Sequence, residues 1–294
     1  MSETHHSEYG QIKSIYLKQP GAAWKNQASI AKQWEQHNYL GEPDFQKAEE
    51  EYTVFEKAIK ETGANISYFQ QDESTSMDSV YCRDASIATD FGVILCRMGK
   101  DDRANEPAAC ASSYRNNGDV ILGSIEAPGT LEGGDVAWLD HKTLAVGRTY
   151  RTNDSGIAQL KALLNPHGVE VKTVELPHYK GKSDVFHLMS ILSPVDKDLA
   201  VVYSPLMPIT FREYLLDRGY QLVEVPDEEF ESMGCNVLAL SPSNCLMVDG
   251  NPITKQRLQV AGATVHTYQG TEISVKGGGG PTCLTRPFLR HFEK

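Results

Sequence analysis

The sequence predicts a single domain, residues 1–294, with the fold of a five-bladed α/β propeller made of pseudo-fivefold strand–helix–strand–strand units. Two observations support this fold class: a hairpin pattern that recurs along the chain, and helical segments between the hairpins. Each hairpin consists of an apolar strand, a polar turn and a second apolar strand. Their starts are 51, 52 and 49 residues apart in the segments Asp84–Met98, Asp135–Val146, His187–Tyr203 and Asn236–Val248. Such a period is typical of repeated supersecondary units.

Helical periodicity separates the hairpins. Asp44 is a suitable N-cap, and the apolar residues after it recur on one helical face until Gly63 ends the segment. The same reasoning predicts four further helices, over Glu106–Asn117, Thr152–Leu164, Phe211–Arg218 and Ile253–Ala261. Short apolar strands follow three of them, at Glu170–Val174, Gln221–Val225 and Thr264–Thr267. The repeating unit is therefore a strand, a helix and two strands in some cyclic order.

The two ends of the chain supply the fifth hairpin. Ser14–Lys18 would pair with Cys283–Phe288, and this pairing would close the ring. Length alone would allow two domains, but no Pro/Ser-rich linker interrupts the repeat. Residues 1–12 are polar and are predicted to form a flexible tail, in which a metal role for the histidines is not expected.

Composition limits the function classes. The net charge of −11 argues against a nucleic-acid partner, which needs a basic surface, and is compatible with a cationic small-molecule substrate. No apolar run reaches the ~20 residues of a membrane span, so no membrane partner is expected. The N-terminus carries no apolar signal-peptide core, which predicts a cytoplasmic location.

The six cysteines form no C-x-x-C pair and no zinc-ligand spacing, so they should be free thiols in a reducing compartment. Cys96 and Cys245 lie in apolar runs that are typical of a protein core. Cys283 differs, because it follows the run Gly277–Gly280, and glycine permits a close approach of substrate to the backbone. This context makes Cys283 a candidate nucleophile.

The other candidate residues occupy equivalent positions of the repeat. In a propeller the inner strand of each blade begins near the central axis, so side chains at these starts should converge. The starts carry Asp78 and Asp84, Glu132, His187, Asn236 and Cys283. A nucleophile, a base and an orienting carboxylate in one pocket are the general requirements of covalent catalysis. Surplus carboxylates would suit a cationic substrate.

Six motifs are ordered along most of the chain, from about Tyr39 to Phe288. They are Leu40–Asp44, Asp78–Asp84, Ile125–Asp135, Arg151–Asn153, His187–Leu188 and the glycine run before Cys283. As an ordered set they resemble the guanidine-modifying superfamily, the penteins, which includes dimethylarginine dimethylaminohydrolases, arginine deiminases and glycine amidinotransferases. Several motifs are most similar to those of bacterial dimethylarginine dimethylaminohydrolases.

The resemblance implies a catalytic set of three residues. Cys283 would attack the central guanidinium carbon, and His187 would donate a proton to the departing amine and later accept one from water. Glu132 would hold the imidazole or a guanidinium nitrogen. A thiolate at neutral pH would need a cationic neighbour, either bound substrate or protonated His187. No metal or organic cofactor is implied.

The resemblance also implies the substrate-binding residues. Asp78 and Asp84 would accept hydrogen bonds from the guanidinium. Arg103 and Arg151 match positions that hold the substrate's α-carboxylate or neighbouring groups. Leu40 matches a residue of the lid that covers the bound ligand.

These matches imply a cysteine-dependent amidine hydrolase that converts Nω-methylated arginine to citrulline and an alkylamine through a thiouronium intermediate. Two departures from the dimethylarginine hydrolase pattern leave alternatives open. Arg83 stands where many such enzymes have an acidic residue, and Ala104 stands where a second arginine often occurs. The alternatives are hydrolysis of arginine or another guanidino compound with release of ammonia, amidino transfer, and a non-catalytic binding protein with this architecture. A homodimer is compatible with the sequence.

Overall fold

A computed structural model describes residues 2–292 and has a mixed α/β fold. The helices are α1 (Pro20–Ala23), α2 (Gln27–Ile30), α3 (Phe45–Lys60), α4 (Glu106–Asn116), α5 (Asp154–Leu164), α6 (Ile209–Asp217), α7 (Asp227–Phe230) and α8 (Pro252–Val260). The first half of the strands are β1 (Ser2–Thr4), β2 (Gln11–Leu17), β3 (Asn65–Tyr68), β4 (Ser86–Ile87), β5 (Val93–Leu95), β6 (Ile121–Ser124), β7 (Val136–Asp140) and β8 (Thr143–Arg148). The second half are β9 (Glu170–Glu175), β10 (Leu192–Asp196), β11 (Leu199–Val202), β12 (Gln221–Glu224), β13 (Val237–Ser241), β14 (Asn244–Val248), β15 (Thr264–Tyr268) and β16 (Thr285–Phe292).

The strands of residues 2–292 form five small sheets. Sheet I has the order β1-β16-β2-β3, and sheets II to V have the orders β4-β5-β6, β7-β8-β9, β10-β11-β12 and β13-β14-β15. In sheets II to V the first two strands are the predicted hairpin and pair antiparallel, and the third pairs parallel after a helical crossover. In sheet I, β16 and β2 pair antiparallel, which confirms the predicted pairing of the two ends of the chain.

The predicted helices form where their start signals indicate. The Asp44 carboxylate accepts a hydrogen bond from Lys47 N at 3.0 Å, so it caps α3. The Asn153 side chain accepts one from Gly156 N at 2.9 Å and caps α5 in the same way. These bonds satisfy backbone donors that the first helical turn leaves without partners.

The apolar core lies between the sheets. Along β7, Val136 and Trp138 belong to a cluster shared with sheet II, whereas Ala137 and Leu139 belong to a cluster shared with sheet IV. Successive side chains of a strand point to opposite faces, and both faces of β7 are covered, which explains why its sequence is a continuous apolar run. The remaining clusters contain side chains of sheets I and II, IV and V, and V and I.

The N-terminal segment is ordered, so the prediction of a flexible tail is wrong for residues 2–12. β1 pairs with β16, and the buried His6 ring stacks on Trp138 with a centroid distance of 3.8 Å. The buried Glu8 accepts a hydrogen bond from the Arg83 guanidinium at 2.7 Å. Aromatic stacking and a buried ion pair fix this polar segment, although it has no apolar run. None of the helices within residues 2–292 is both long and apolar enough to cross a bilayer.

Candidate active site

The glycine run before Cys283 is required by close packing. A Cβ at Gly279 would lie 2.5 Å from the Tyr81 ring, and one at Gly280 would lie 2.6 Å from the Asn236 amide. Gly278 has φ +73°, in the left-handed region that favours glycine. The run therefore lets the backbone pass between neighbouring side chains and present the cysteine that follows.

Cys283 is held by a neighbouring amide. Asn236 Nδ2 donates to Cys283 Sγ at 3.3 Å, and Asn236 Oδ1 accepts from Thr282 N at 3.0 Å and Thr282 Oγ1 at 2.8 Å, which fixes the orientation of the amide. Burial and then the charge of Asp84 raise the pKa of the Cys283 thiol, and the Asn236 bond opposes this effect. The thiol is therefore protonated at neutral pH while no cation is bound.

His187 begins a tight turn that follows a short loop. Its backbone N donates to Ser190 Oγ at 3.1 Å, and Leu188 N donates to the Asp135 carboxylate at 3.0 Å. The imidazole Nε2 lies 2.7 Å from Glu132 Oε2, and Nδ1 lies 4.0 Å from Asp84 Oδ1. Burial lowers the pKa of His187, but the charges of Asp135 and Asp84 and the Glu132 bond outweigh burial and raise it to about 9. The imidazole is therefore protonated at neutral pH.

Glu132 is completely buried, and its two oxygens have different partners. Oε2 faces His187, whereas Oε1 accepts hydrogen bonds from Gly99 N at 2.9 Å, Lys100 N at 3.2 Å and Arg151 Nη1 at 3.4 Å. Burial raises the pKa of Glu132, but the His187 bond and charge and the Arg151 charge outweigh it and lower the pKa below its usual range. Glu132 therefore remains ionised and fixes the imidazole.

The strand after Glu132 approaches the site closely. A Cβ at Gly134 would lie 2.7 Å from Asp84 Oδ1 and nearer still to the His187 ring. Any larger residue would push the imidazole and the carboxylate apart. The Gly133–Gly134 pair thus leaves the space that neighbouring groups occupy, including the His187 ring and the Asp84 carboxylate beside Gly134.

The two aspartates differ in how far their oxygens are satisfied. Asp78 Oδ2 lies 2.5 Å from Lys100 Nζ and 3.0 Å from His37 Nδ1. Although burial opposes it, the His37 bond and the nearby cations hold the pKa of Asp78 well below its usual range. Asp84 Oδ2 accepts from Arg103 Nη1 at 2.6 Å, but the buried Asp84 Oδ1 has no hydrogen-bond partner among residues 2–292. A buried carboxylate oxygen without a donor is costly, so this atom marks a place for a ligand donor.

The predicted carboxylate-binding arginines have protein partners. Arg103 donates from Nε and Nη2 to the two Glu106 oxygens, at 2.9 and 2.8 Å, and from Nη2 to Tyr81 O at 2.9 Å, in addition to its Asp84 bond. Within residues 2–292 the Arg151 guanidinium has one hydrogen-bond partner, the Glu132 carboxylate described above. Arg103 therefore orients Asp84, and a contact between Arg103 and a substrate carboxylate would require the exchange of one of these bonds.

Two adjoining cavities meet at Cys283. The smaller, about 30 Å³, is charged, and it is lined by seven of the eight predicted site residues: Asp78, Asp84, Arg103, Glu132, Arg151, His187 and Cys283. The larger, about 160 Å³, also reaches His187 and Cys283, and the eighth residue, Leu40, lies at its edge with its side chain largely exposed. The sulfur and the imidazole therefore line the same cavity.

One side-chain group could be considered for a metal ion. Ligand atoms of Asp84, Glu132 and His187 all lie within 4.8 Å of one another. A protonated imidazole has no lone pair to offer, so at neutral pH a metal would have to displace the proton that the raised pKa of His187 retains.

Several residues of the site were not assigned a role from the sequence. Lys100 and His37 hold Asp78, and Asp135 anchors the turn after His187. No local motif indicates Lys100 or His37. Asn236 did carry a signal, because it stands at the same repeat position as Cys283.

Comparison with protein-family models shows which family this chain belongs to. The family model for N,N-dimethylarginine dimethylhydrolase, eukaryotic, matches residues 20–290. The chain belongs to this family. The predicted resemblance to the guanidine-modifying superfamily is thus confirmed.

Two relatives of this dimethylarginine dimethylhydrolase family member, and a solved structure of one of them, illustrate its similarity. The N(G),N(G)-dimethylarginine dimethylaminohydrolase of Pseudomonas aeruginosa is 27% identical over 252 residues, covering 85% of this chain and 92% of the relative. A structure of the Pseudomonas aeruginosa enzyme, a cysteine-to-serine mutant complexed with citrulline, superposes with a TM-score of 0.76 at 25% identity, covering 95% and 100% of the two chains. An arginine deiminase of Listeria welshimeri is 25% identical over 250 residues, covering 71% of this chain and 61% of the relative.

Proposed function

We propose that this protein hydrolyses a C–N bond of an arginine-like guanidino substrate, with Cys283 as nucleophile and Nω-methylated arginine as the first candidate. One observation carries the proposal: Asp84, whose buried Oδ1 has no hydrogen-bond partner within residues 2–292, lines one cavity with Cys283 and the protonated His187. A planar cation that donates several hydrogen bonds is the ligand that such an oxygen favours. Membership of the family supports the same chemistry.

Substrate binding would itself activate the nucleophile. The charge of Asp84 is, after burial, the second cause that raises the pKa of the Cys283 thiol. A guanidinium bound to Asp84 would neutralise this charge and add a positive charge close to the sulfur. The pKa of the thiol would then fall, and the thiolate would form where the electrophilic carbon is already positioned.

The chemical steps use the observed proton positions. The thiol releases its proton to solvent, and Sγ forms a bond to the central guanidinium carbon. The bond from that carbon to the substituted nitrogen breaks, and the amine leaves with the proton of His187. The neutral imidazole then takes a proton from a water molecule, whose oxygen attacks the same carbon. The hydroxyl of the resulting adduct then loses its proton to solvent as the S–C bond breaks, which releases the ureido product and restores the thiolate.

The remaining residues would position the reactants. Glu132 would keep the imidazole in place, and Asp78 would hold a second guanidinium edge once its bond to Lys100 is exchanged. Arg151 and Arg103 are the candidates for the amino-acid end of the substrate, and the exposed Leu40 is the candidate lid residue. We further propose that sheets I to V form a five-bladed α/β propeller within one domain, because each apolar cluster contains residues from two successive sheets, including sheets V and I.

Hydrolysis of arginine itself, with release of ammonia, is the second candidate. The similarity to arginine deiminases favours it, and the same steps apply with NH₃ as the leaving group. The departure at Arg83 does not discriminate, because the Glu8 carboxylate compensates the Arg83 charge.

Turnover of a panel of guanidines tests the proposal. Purified protein is incubated with dimethylarginine, monomethylarginine, arginine and agmatine, and the ureido product and the released amine are quantified. We expect one methylated arginine to give the highest kcat/KM, with release of its alkylamine; release of ammonia from arginine as the best substrate would favour the second candidate.

Two cysteine variants complete this test. Cys283→Ser should abolish turnover, whereas Cys245→Ser, at a buried apolar position, should retain it. Absence of turnover with every guanidine, or full activity of Cys283→Ser, would overturn the proposal.

A further inference from the structure

The larger cavity differs chemically from the charged cavity next to it. We call it the apolar chamber and define it by Tyr179, Phe186, Met189, Phe230, Met233 and Val275, all of which line it. It shares Cys283 and His187 with the charged cavity, so a group attached to the reacting carbon can extend into it. The carboxylates Asp78, Asp84 and Glu132 line the charged cavity instead.

The walls of the apolar chamber are formed by packed aromatic side chains. The Tyr179 ring lies 5.4 Å from that of Phe186 and 5.9 Å from that of Phe230, and Phe230 stacks on Tyr203 at 3.9 Å. Phe186 and Met189 belong to the core cluster between sheets III and IV. The chamber therefore has a supported apolar wall and is more than a gap between surface loops.

Three of the cations around the chamber have carboxylate partners, whereas the lining Asp184 has no ion pair among residues 2–292 and Arg83 Nε and Nη1 have no acceptor there. Lys180 Nζ lies 2.6 Å from Glu231 Oε1, which also accepts a hydrogen bond from the Tyr179 hydroxyl. Lys276 Nζ lies 2.6 Å from Glu272 Oε2, and the buried Arg83 guanidinium is paired with Glu8. The aromatic wall of Tyr179, Phe186 and Phe230 is therefore the part of the chamber that favours a hydrocarbon group.

The chamber is also much larger than a methyl group needs. A water molecule requires roughly 10–15 Å³ of such volume, so about 160 Å³ corresponds to on the order of ten waters. The methyl groups of a dimethylated nitrogen would fill only a small part. Apolar surface that stays in contact with water contributes nothing to binding.

We propose that the apolar chamber is a subsite for the substituent on the leaving nitrogen of the guanidine, and that the preferred substituent is a hydrocarbon larger than methyl, such as butyl or benzyl. The inference rests on the proposed function and names its substrate class. The bond that breaks is the same one, from the central carbon to the substituted nitrogen. The leaving group is then a butyl- or benzylamine that takes its proton from His187.

A series of Nω-alkylarginines tests the inference, with methyl, propyl, butyl and benzyl substituents. We expect kcat/KM to rise from methyl to butyl by about fourfold for each methylene moved out of water. Release of the corresponding amine confirms which bond breaks. A kcat/KM that is highest for methyl, or is equal across the series, would overturn the inference and leave the proposed function intact.

Two variants of the apolar chamber should change the preferred length of the substituent in opposite directions. Met233→Trp should reduce the butyl-to-methyl ratio of kcat/KM at least tenfold by filling the chamber, and Phe230→Ala should shift the optimum toward longer substituents. Val260→Trp is the control, because Val260 is 83% exposed on α8, and it should leave the ratio unchanged. If Met233→Trp does not fold, Phe230→Ala still decides, and an unchanged optimum in that variant contradicts the inference.

Binding to an inactive protein separates this inference from the proposed function. Methylguanidine and butylguanidine are titrated calorimetrically into Cys283→Ser, which needs no turnover. We expect butylguanidine to bind at least tenfold more tightly. Equal affinities would overturn the chamber as a subsite, whereas tighter butylguanidine binding without turnover of any guanidine would overturn only the catalytic proposal.

Discussion

Replacement of Glu132 by glutamine should lower the pKa of His187. Glu132 Oε2 lies 2.7 Å from His187 Nε2 in a fully buried position, so water does not screen the interaction. Glutamine has the same shape but no charge. The imidazole of Glu132→Gln would keep the Asp135 and Asp84 charges, which also raise the pKa of His187, and would lose the charge in direct hydrogen-bond contact.

The size of the change follows from the strength of a charged hydrogen bond. Such a bond contributes about 1.5–3 kcal/mol, and 1.36 kcal/mol corresponds to one pKa unit. The pKa of His187, about 9 with Glu132 present, should therefore fall to between about 7 and 8 in Glu132→Gln. At pH 8 a large part of the variant would lack the proton that the leaving amine takes in the proposed mechanism.

Histidine side-chain NMR measures this change without any turnover. Protein with isotope-labelled histidine is titrated from about pH 5 to 10, a range that spans both the reference pKa of histidine and the raised pKa of His187. The resonance that is missing from His187→Gln identifies His187. Glu126→Gln, which removes an exposed carboxylate, is the control and should leave the His187 titration unchanged. A midpoint that remains near 9 in Glu132→Gln would refute the reasoning.

Three further predictions concern the same site. Asp84→Asn should lower the pKa of the Cys283 thiol and speed alkylation by iodoacetamide at pH 8, yet reduce kcat/KM for guanidines at least 100-fold; a parallel loss of both would contradict the assigned role of Asp84. Asn236→Ala should slow the same alkylation about fivefold, the equivalent of one hydrogen bond of about 1 kcal/mol, and an unchanged pH–rate profile would exclude Asn236 as a donor to the thiolate. Because the folded-state pKa of His187 is raised from 6.5 to about 9, its contribution to stability is present below pH 6.5 and is lost as pH rises through 9, on the order of 3 kcal/mol. Urea denaturation at pH 6 and pH 10 (roughly half a unit below and one unit above those two pKa values) should show a larger loss in wild type than in His187→Gln, and equal losses would refute the assignment.

The sequence was sufficient to predict the repeating hairpins, because each hairpin is encoded by a short local pattern of two apolar runs and a polar turn. Continuous apolar runs such as Val136–Leu139 contact two clusters at once, and the polar turn between strands interrupts them at a regular interval. The pairing of β2 with β16 was also predictable, since the first and last strands of the repeat would otherwise have no hairpin partner.

Contacts between distant segments could not be predicted. The polar N-terminal segment resembles a tail in any local window, because its order depends on single long-range contacts such as the His6 ring on Trp138. Repeat phase did predict that Cys283 and His187 line one cavity, since equivalent strand starts converge. It could not show that Arg103 is held by Glu106, because a charged residue near a predicted site is compatible with either a protein or a ligand partner.

The ion pair between Glu8 and Arg83 has a practical consequence for anyone shortening the chain. The similarity to the family begins at residue 20, so a version cut to the matched residues would omit Glu8 and keep Arg83. Arg83 is 1% exposed, and loss of one member of a buried pair typically costs about 3–5 kcal/mol. Boundaries drawn from homology alone would thus discard the counter-ion of an interior cation, and poor solubility of such a truncated protein should not be attributed to the proposed catalytic residues.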